Sequence, residues 1–306
     1  MQSALERIPP RRVAATGSVR ARKTADAVAT VVLWAMASSI ILLLAAFLIY
    51  MVYLGASAIS PSFIFGIPKE TEAGGGIGPE IYNSFYILVL TLIFTIPIAL
   101  SAGIYLQEYA RRGLFRGIVQ FSAESLATIP SIVMGLFGLL VFVYRFHMGY
   151  TALGGALTLT LLNLPALMRV TQEALASVPD TLREASMALG GTKWQTITRV
   201  VLPSAIGRLT TGVVLIAGRI YGETAALIFT AGLSVPRNNA YDLSPFRSAE
   251  TLSVHLWYTH SESIVPDVDR IGNGSALVLL VMVLLFNVGA RVAGRALTKR
   301  FTGRAS

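Results

Sequence analysis

Long apolar runs separated by short polar breaks set the pattern of this chain. A helix needs about 20 apolar residues to cross a bilayer. Six stretches reach that length, at roughly 28–54, 82–106, 123–144, 150–168, 206–232 and 274–290. The pattern predicts an all-α integral membrane protein with six transmembrane helices. Joining 123–168 across the short link near Arg145–Tyr150 would leave five. Pro97 and Pro165 fall inside the second and fourth spans, where a ring lacking an N–H predicts a kink.

One polar stretch, Pro179–Pro203, interrupts the apolar pattern with helical signals of its own. Thr181 with Glu184, and Thr192 with Gln195, have the spacing of capping boxes, in which a hydroxyl and a carboxylate or amide satisfy the free N–H groups of a first turn. Gly190-Gly191 supplies a sharp stop between the two helices. Pro203 closes the second helix or opens the next. Leu182, Ala185 and Leu189, then Trp194, Ile197 and Val201, repeat at helical spacing, so each short helix carries an apolar stripe that needs a cover.

Composition agrees with a membrane protein. The chain has 306 residues, 54% hydrophobic and 13% charged, against about 25% charged in soluble domains, and its mean hydropathy is +0.65. The net charge of +9 is not gathered on one amphipathic surface, which argues against nucleic acid as a partner. Instead it orients the spans. With the N-terminus inside, nineteen Lys/Arg lie in the tails and inner loops, five in the outer loops, and Arg219 lies within a span. That asymmetry places both termini and the 170–205 loop in the cytoplasm and favours six spans over five. The organisation expected is a basic tail over 1–27, a membrane domain over 28–292 with outer loops at 55–80 and 233–272, and a basic tail over 293–306. The apolar run after the first tail is too long for a signal-peptide core of roughly 7–15 residues. The glycine-rich 55–80 segment reads as a flexible link, and His255, Trp257, Tyr258 and His260 as part of a short interfacial helix.

Candidate chemistry concentrates in the fifth span. Arg219 lies thirteen residues from Ile206 and thirteen from Gly232, which predicts a place near the bilayer midplane. An arginine there costs about 2.5–3.5 kcal/mol on insertion scales. Glu223, four residues on, would offset that charge from the same helix face. The pair reads either as a structural ion pair or as the lining of a polar pathway, with the cation favouring an anionic passenger. Gly218 and Gly222 form a small-xxx-small pair for close helix approach. Arg169 and Glu173 read as interface anchors or as a gate, and Glu108, Arg111 and Arg112 as a solvated inner turn. His147, His255 and His260 lack metal-ligand spacing, so no metal is expected. The absence of cysteine excludes disulfides and thiolate chemistry. A phosphate-binding Gly-x-x-x-x-Gly-Lys-Ser/Thr loop is absent, so the chain does not bind ATP by that means. Ser275 has no histidine base near it in sequence, which leaves an intramembrane protease without support, and no catalytic residue is expected.

The 179–203 stretch resembles the EAA motif of ABC-importer permeases: here Glu184-Ala185-Ser186, then Gly190, then Val200-Val201-Leu202-Pro203, with Ser and Val as mild departures. The segments 129–142 and 218–232 are similar to the permease subunits of phosphate importers, the PstA family, and the likeness runs from about Pro79 to Arg291. Ala226 stands where that family often has Pro. The resemblance implies a type I ABC importer (MetI-like) permease fold in which Glu184, Ala185, Ser186, Gly190, Leu202 and Pro203 belong to a cytoplasmic coupling helix seated on a separate ATPase. It implies a PstC-like sister permease, a PstB-like ATPase dimer and a PstS-like phosphate-binding protein, with ATP and Mg on the ATPase and no cofactor on this chain. Arg219, Glu223 and, less directly, Arg169 match pathway residues of the family. A permease for phosphonate, molybdate or sulfate, and a secondary transporter or channel working without an ATPase, are the competing readings.

Overall fold

The computed structural model describes residues 19–69, 71–111, 113–236 and 238–302. The basic tail up to residue 18, Arg112, Arg237 and the terminal arginine at 304, all used in the charge count, lie outside the described residues. The chain forms two units, Met1–Val52 and Tyr53–Ser306. Most of the first helix, α1 (Val19–Gly55), belongs to the first unit. Its 37 residues extend about 55 Å, longer than the hydrocarbon core of about 30 Å. Arg22, Lys23 and Asp26 occupy the excess at its start, and Leu33, Trp34, Ile40 and Leu43 are exposed along it.

The second unit begins with a tight turn at 56–58 and the short helix α2 (Pro61–Phe65), whose first turn is capped by the Ser60 hydroxyl. The expected flexible link after it is in fact pinned. The Gly76, Ile77 and Gly78 amides donate to the carbonyls of Ile67, Phe63 and Gly66. A Cβ on Gly76 would come within 2.5 Å of Gly66, so the glycines permit backbone-to-backbone packing there.

The central pair is α3 (Gly78–Ile104), prolonged through a wide π turn to Tyr109, and α6 (Ala152–Ala176). They meet through small and hydroxyl residues, as packed membrane helices do. Thr95 and Thr160 are hydrogen-bonded at 3.3 Å, and Gly103 admits Thr171. Both helices run on through Pro97 and Pro165.

Two expected spans are different in the structure. The third is not one helix over 123–144: α4 (Leu114–Ala127) and the helix starting with α5 (Ser131–Gly138) and continuing to Arg145 are bent by 100°. Pro130 is the cause, since it disfavours helical backbone at Ile129 and cannot donate its own amide. The fifth span does not continue to 232. After α7 (Asp180–Ala188), α8 (Lys193–Thr196) and a π turn at Ile197–Val201, α9 (Leu202–Tyr221) stops at Gly222. A four-residue helix, α10 (Ala225–Ile228), follows. The π turn lies just before Pro203, which takes the helical amide away from the carbonyl of Arg199.

The remaining helices are α11 (Leu252–Ser261), the expected short helix, and α12 (Val268–Thr302), packed on α9 and α11. Among the described residues five helices are long and apolar enough to cross a membrane, or six when the bent pair counts as one span. No strand occurs among the described residues.

Candidate functional sites

Three places carry the polar and exposed side chains that a folded core does not explain. The first is the loop between α6 and α9. The helix α7 begins directly after Pro179, with no side-chain cap, so the box expected at Thr181 is not formed. The box at Thr192 and Gln195 is, in both directions. Gly190 has φ +85, the left-handed conformation that ends α7 and that a Cβ would strain.

Sequence reasoning missed what holds this loop. Glu108 is not part of a solvated turn; its carboxylate accepts from the Arg183 guanidinium at 2.8 Å, with both side chains largely withdrawn from solvent. Arg183 also donates to the Leu175 and Val178 carbonyls and to Asp180. One arginine thus fastens α7 to the ends of α3 and α6. Its partner lies 75 residues away, a separation no local spacing rule reads. Ser186 Oγ lies 2.9 Å from Thr196 Oγ1, joining α7 to α8. Ile197 and Val201 are buried, so the second apolar stripe is covered except for Trp194. Leu182, Met187, Leu189 and Trp194 stay exposed, Leu189 at 90%, beside exposed Glu184 and Ala185. Leu202 packs behind them against the Ala174–Leu209 cluster, and Pro203 stands in the first turn of α9.

The second place is one face of α9. Because the helix stops at Tyr221, Arg219 lies in its last turn and not mid-helix, where the carbonyl ends of the helix favour a cation. Glu223 is beyond the helix end, and the two form no ion pair. Glu223 instead uses its backbone carbonyl to accept from Ser253. Gly218 and Gly222 also differ: a Cβ on Gly218 would meet Asn287 of α12 at 3.2 Å, whereas Gly222 faces open space. The uncovered positions of α9 are Ser204, Arg208, Thr211, Leu215 and Arg219, with Gly222 at its C-cap continuing the row. They repeat every three or four residues and so form a single stripe, carrying two arginines about 16 Å apart along the axis. The sequence carries this signal in the eleven-residue spacing from Arg208 to Arg219, about three helical turns and so one helix face. Arg169 is exposed at the end of α6, paired with Glu173 at 2.8 Å and Glu124 of α4 at 3.4 Å.

The third place was excluded from sequence spacing. Glu80, Glu250 and His255 are all buried, and one ligand atom from each lies within 4.8 Å of the others. His255 Nδ1 is 3.0 Å from a Glu250 carboxylate oxygen. Burial pulls the His255 imidazole down, but its hydrogen bond to Glu250 and the charges of Glu80 and Glu250 outweigh this and hold it above the usual histidine value. Local hydrogen bonds set the three in place. Asn83 donates to the Glu250 carbonyl, the Leu252 amide donates to Ser84, and Ser84 donates to the Glu80 carbonyl. Arg247 donates to the side-chain amide oxygen of Asn83 (Oδ1) at 2.7 Å.

An all-helical membrane domain with a broken third span, a pinned loop and an arginine-bearing face on α9 describes a transport subunit. The chain belongs to the family of binding-protein-dependent transport system inner membrane components, whose model matches residues 95–303. It is a permease subunit of the ABC importer class, with the type I permease fold. The probable ABC transporter permease protein YqgI of Bacillus subtilis is 42% identical over 92% of this chain and 99% of its own length. The phosphate transport system permease protein PstA of Yersinia pestis is 33% identical, over 74% of each chain. Among solved structures, a chain of a bacterial ABC transporter that imports the acidic polysaccharide alginate superposes with a TM-score of 0.65. It covers 90% of this chain and 99% of that one, at 17% identity, and so speaks for the fold.

Proposed function

We propose that this subunit forms half of the pathway of an ATP-driven importer for inorganic phosphate. The observation that carries the reading is the uncovered stripe of α9, where Arg208 and Arg219 share a face with Ser204 and Thr211. An arginine held against lipid at the helix centre costs about 2.5–3.5 kcal/mol on insertion scales, and arginines within membrane segments almost always face the bundle interior or a water-filled cavity. Such a face belongs against a water-filled path or a partner helix. Two arginines suit a tetrahedral oxyanion, which accepts forked hydrogen bonds from guanidinium. Several PstA relatives at 32–35% identity support phosphate among the oxyanions.

In this reading the second half of the path comes from a PstC-like permease, and a PstS-like protein delivers the anion. The exposed Leu182, Met187, Leu189 and Trp194 seat in a cleft of a PstB-like ATPase, which holds ATP and Mg. Glu184, Ala185 and Gly190 shape that contact, and nucleotide-driven closure moves α3 and α6 through Arg183. The loop over 179–203 and both termini face the cytoplasm, and Glu223 and Arg169 flank the path. The test is uptake by the assembled transporter in vesicles, with labelled phosphate and with sulfate, molybdate and phosphonate as competitors. Phosphate uptake that needs ATP and resists the competitors is expected. Displacement of phosphate by another oxyanion reassigns the substrate, and uptake without ATP overturns the coupling.

A further inference from the structure

We infer that Glu80, Glu250 and His255 form a binding site for a divalent transition-metal cation, distinct from the pathway stripe and from the 179–203 loop. The three residues come from separate segments, and their ligand atoms lie within 4.8 Å of one another. Glu80 is completely buried, yet neither of its carboxylate oxygens has a hydrogen-bond partner, and His255 Nε2 is likewise buried and unpartnered. A buried carboxylate with no partner is costly, and nature pairs such groups with a cation or a proton. A bound cation displaces any proton on the imidazole, and the two carboxylates with the neutral imidazole then carry two negative charges, which one divalent cation neutralises. Two oxygen donors and one nitrogen donor, with a fourth position left for water, match zinc or manganese better than magnesium, which prefers an all-oxygen octahedron. Glu250 and His255 also line a cavity of about 270 Å³ with Lys69, Tyr258 and Thr259, so two of the three ligands border open space, while Glu80 is not among the residues that line it.

The segment contacts give the site a structural consequence. Glu80 is in the first turn of α3, Glu250 ends the 233–251 segment, and His255 is on α11. A cation shared among them would clamp these three elements together. The test uses the full-length chain purified in detergent as the assembled transporter, stripped with a chelator and returned to zinc, manganese or magnesium chloride. Bound metal is measured by elemental analysis after desalting, affinity by calorimetric titration, and stability by thermal melting. About one equivalent of zinc or manganese per chain is expected, with a rise in Tm that magnesium does not reproduce. Glu80→Gln and His255→Gln should each weaken binding by on the order of tenfold or more, while His260→Gln, outside the cluster, should leave it unchanged. The glutamine variants keep size and shape, and their melting in chelator reports whether they fold. The inference is overturned if the native protein retains no more metal than the Glu80→Gln/His255→Gln double variant. It is equally overturned if His260→Gln abolishes binding. Glu80→Gln melting at or above the stripped native protein, with no metal bound by the native chain, assigns the cluster to a shared proton.

Discussion

Arg219 illustrates how one helix end changes the meaning of a residue. In a continuous span its charge needs Glu223 on the next turn; in the last turn of α9 the helix carbonyls stabilise it, and Glu223 is free of the duty. That end effect is worth about 0.3–1 kcal/mol, enough to favour the position but not to neutralise the guanidinium. It therefore stays available to an anion. Arg219→Ala in the assembled transporter should lower phosphate uptake by at least about tenfold, the factor carried by 1.4 kcal/mol. Arg219→Lys should restore only part of it, because an ammonium lacks the planar fork. Glu223→Gln should leave the Tm unchanged, since no ion pair is lost; a fall in Tm comparable to loss of a buried pair would contradict the separation seen here.

At the scale of elements, the α7–α8 loop owes its position to the Arg183–Glu108 pair. Both side chains are mostly buried, so breaking the pair leaves a charge without a partner and costs about 3–5 kcal/mol. Arg183→Ala should release α7 from α3 and α6, and ATP hydrolysis by the assembled transporter should then continue while phosphate uptake falls. Equal losses of both activities would point to failed assembly instead, which co-purification of the ATPase detects. Gly190→Ala should destabilise the loop by about 1–2 kcal/mol through its left-handed backbone, read as a lower Tm with the Arg183 contacts intact. The sequence made much of this legible where the determinants are local: the Thr192–Gln195 box, the Gly190 stop and the exposed Leu182 and Leu189 follow from spacing. Long apolar runs likewise marked the membrane helices. What hydropathy cannot see is a break inside an apolar run, so the bend at Pro130 and the end of α9 at Tyr221 were read through as helix. Nor can it pair Arg183 with Glu108, or Glu80 with Glu250 and His255, because these contacts exist only after α3, α6 and the 233–261 segment have packed.

At the scale of the whole molecule, the proposed function requires one direction of insertion. The anion must be received on one side, while ATP is spent on the other. Nineteen against five basic residues favours a cytoplasmic 179–203 loop, and the exposed Leu182, Met187, Leu189 and Trp194 are useful only on the side where an ATPase resides. The chain has no cysteine, so a single introduced thiol reports its own side without background. Leu189 and Leu243 are 90% and 73% exposed, and neither contributes to a buried cluster, so a cysteine at either site should not disturb folding. In intact cells a membrane-impermeant maleimide should label Leu243→Cys and spare Leu189→Cys. After the membrane is opened both should react. Adding the ATPase subunit to inside-out vesicles should then protect Leu189→Cys alone, because the thiol lies within the surface that the ATPase covers. Labelling of Leu189→Cys in intact cells would reverse the orientation and remove the basis for coupling through α7, whatever the substrate proves to be.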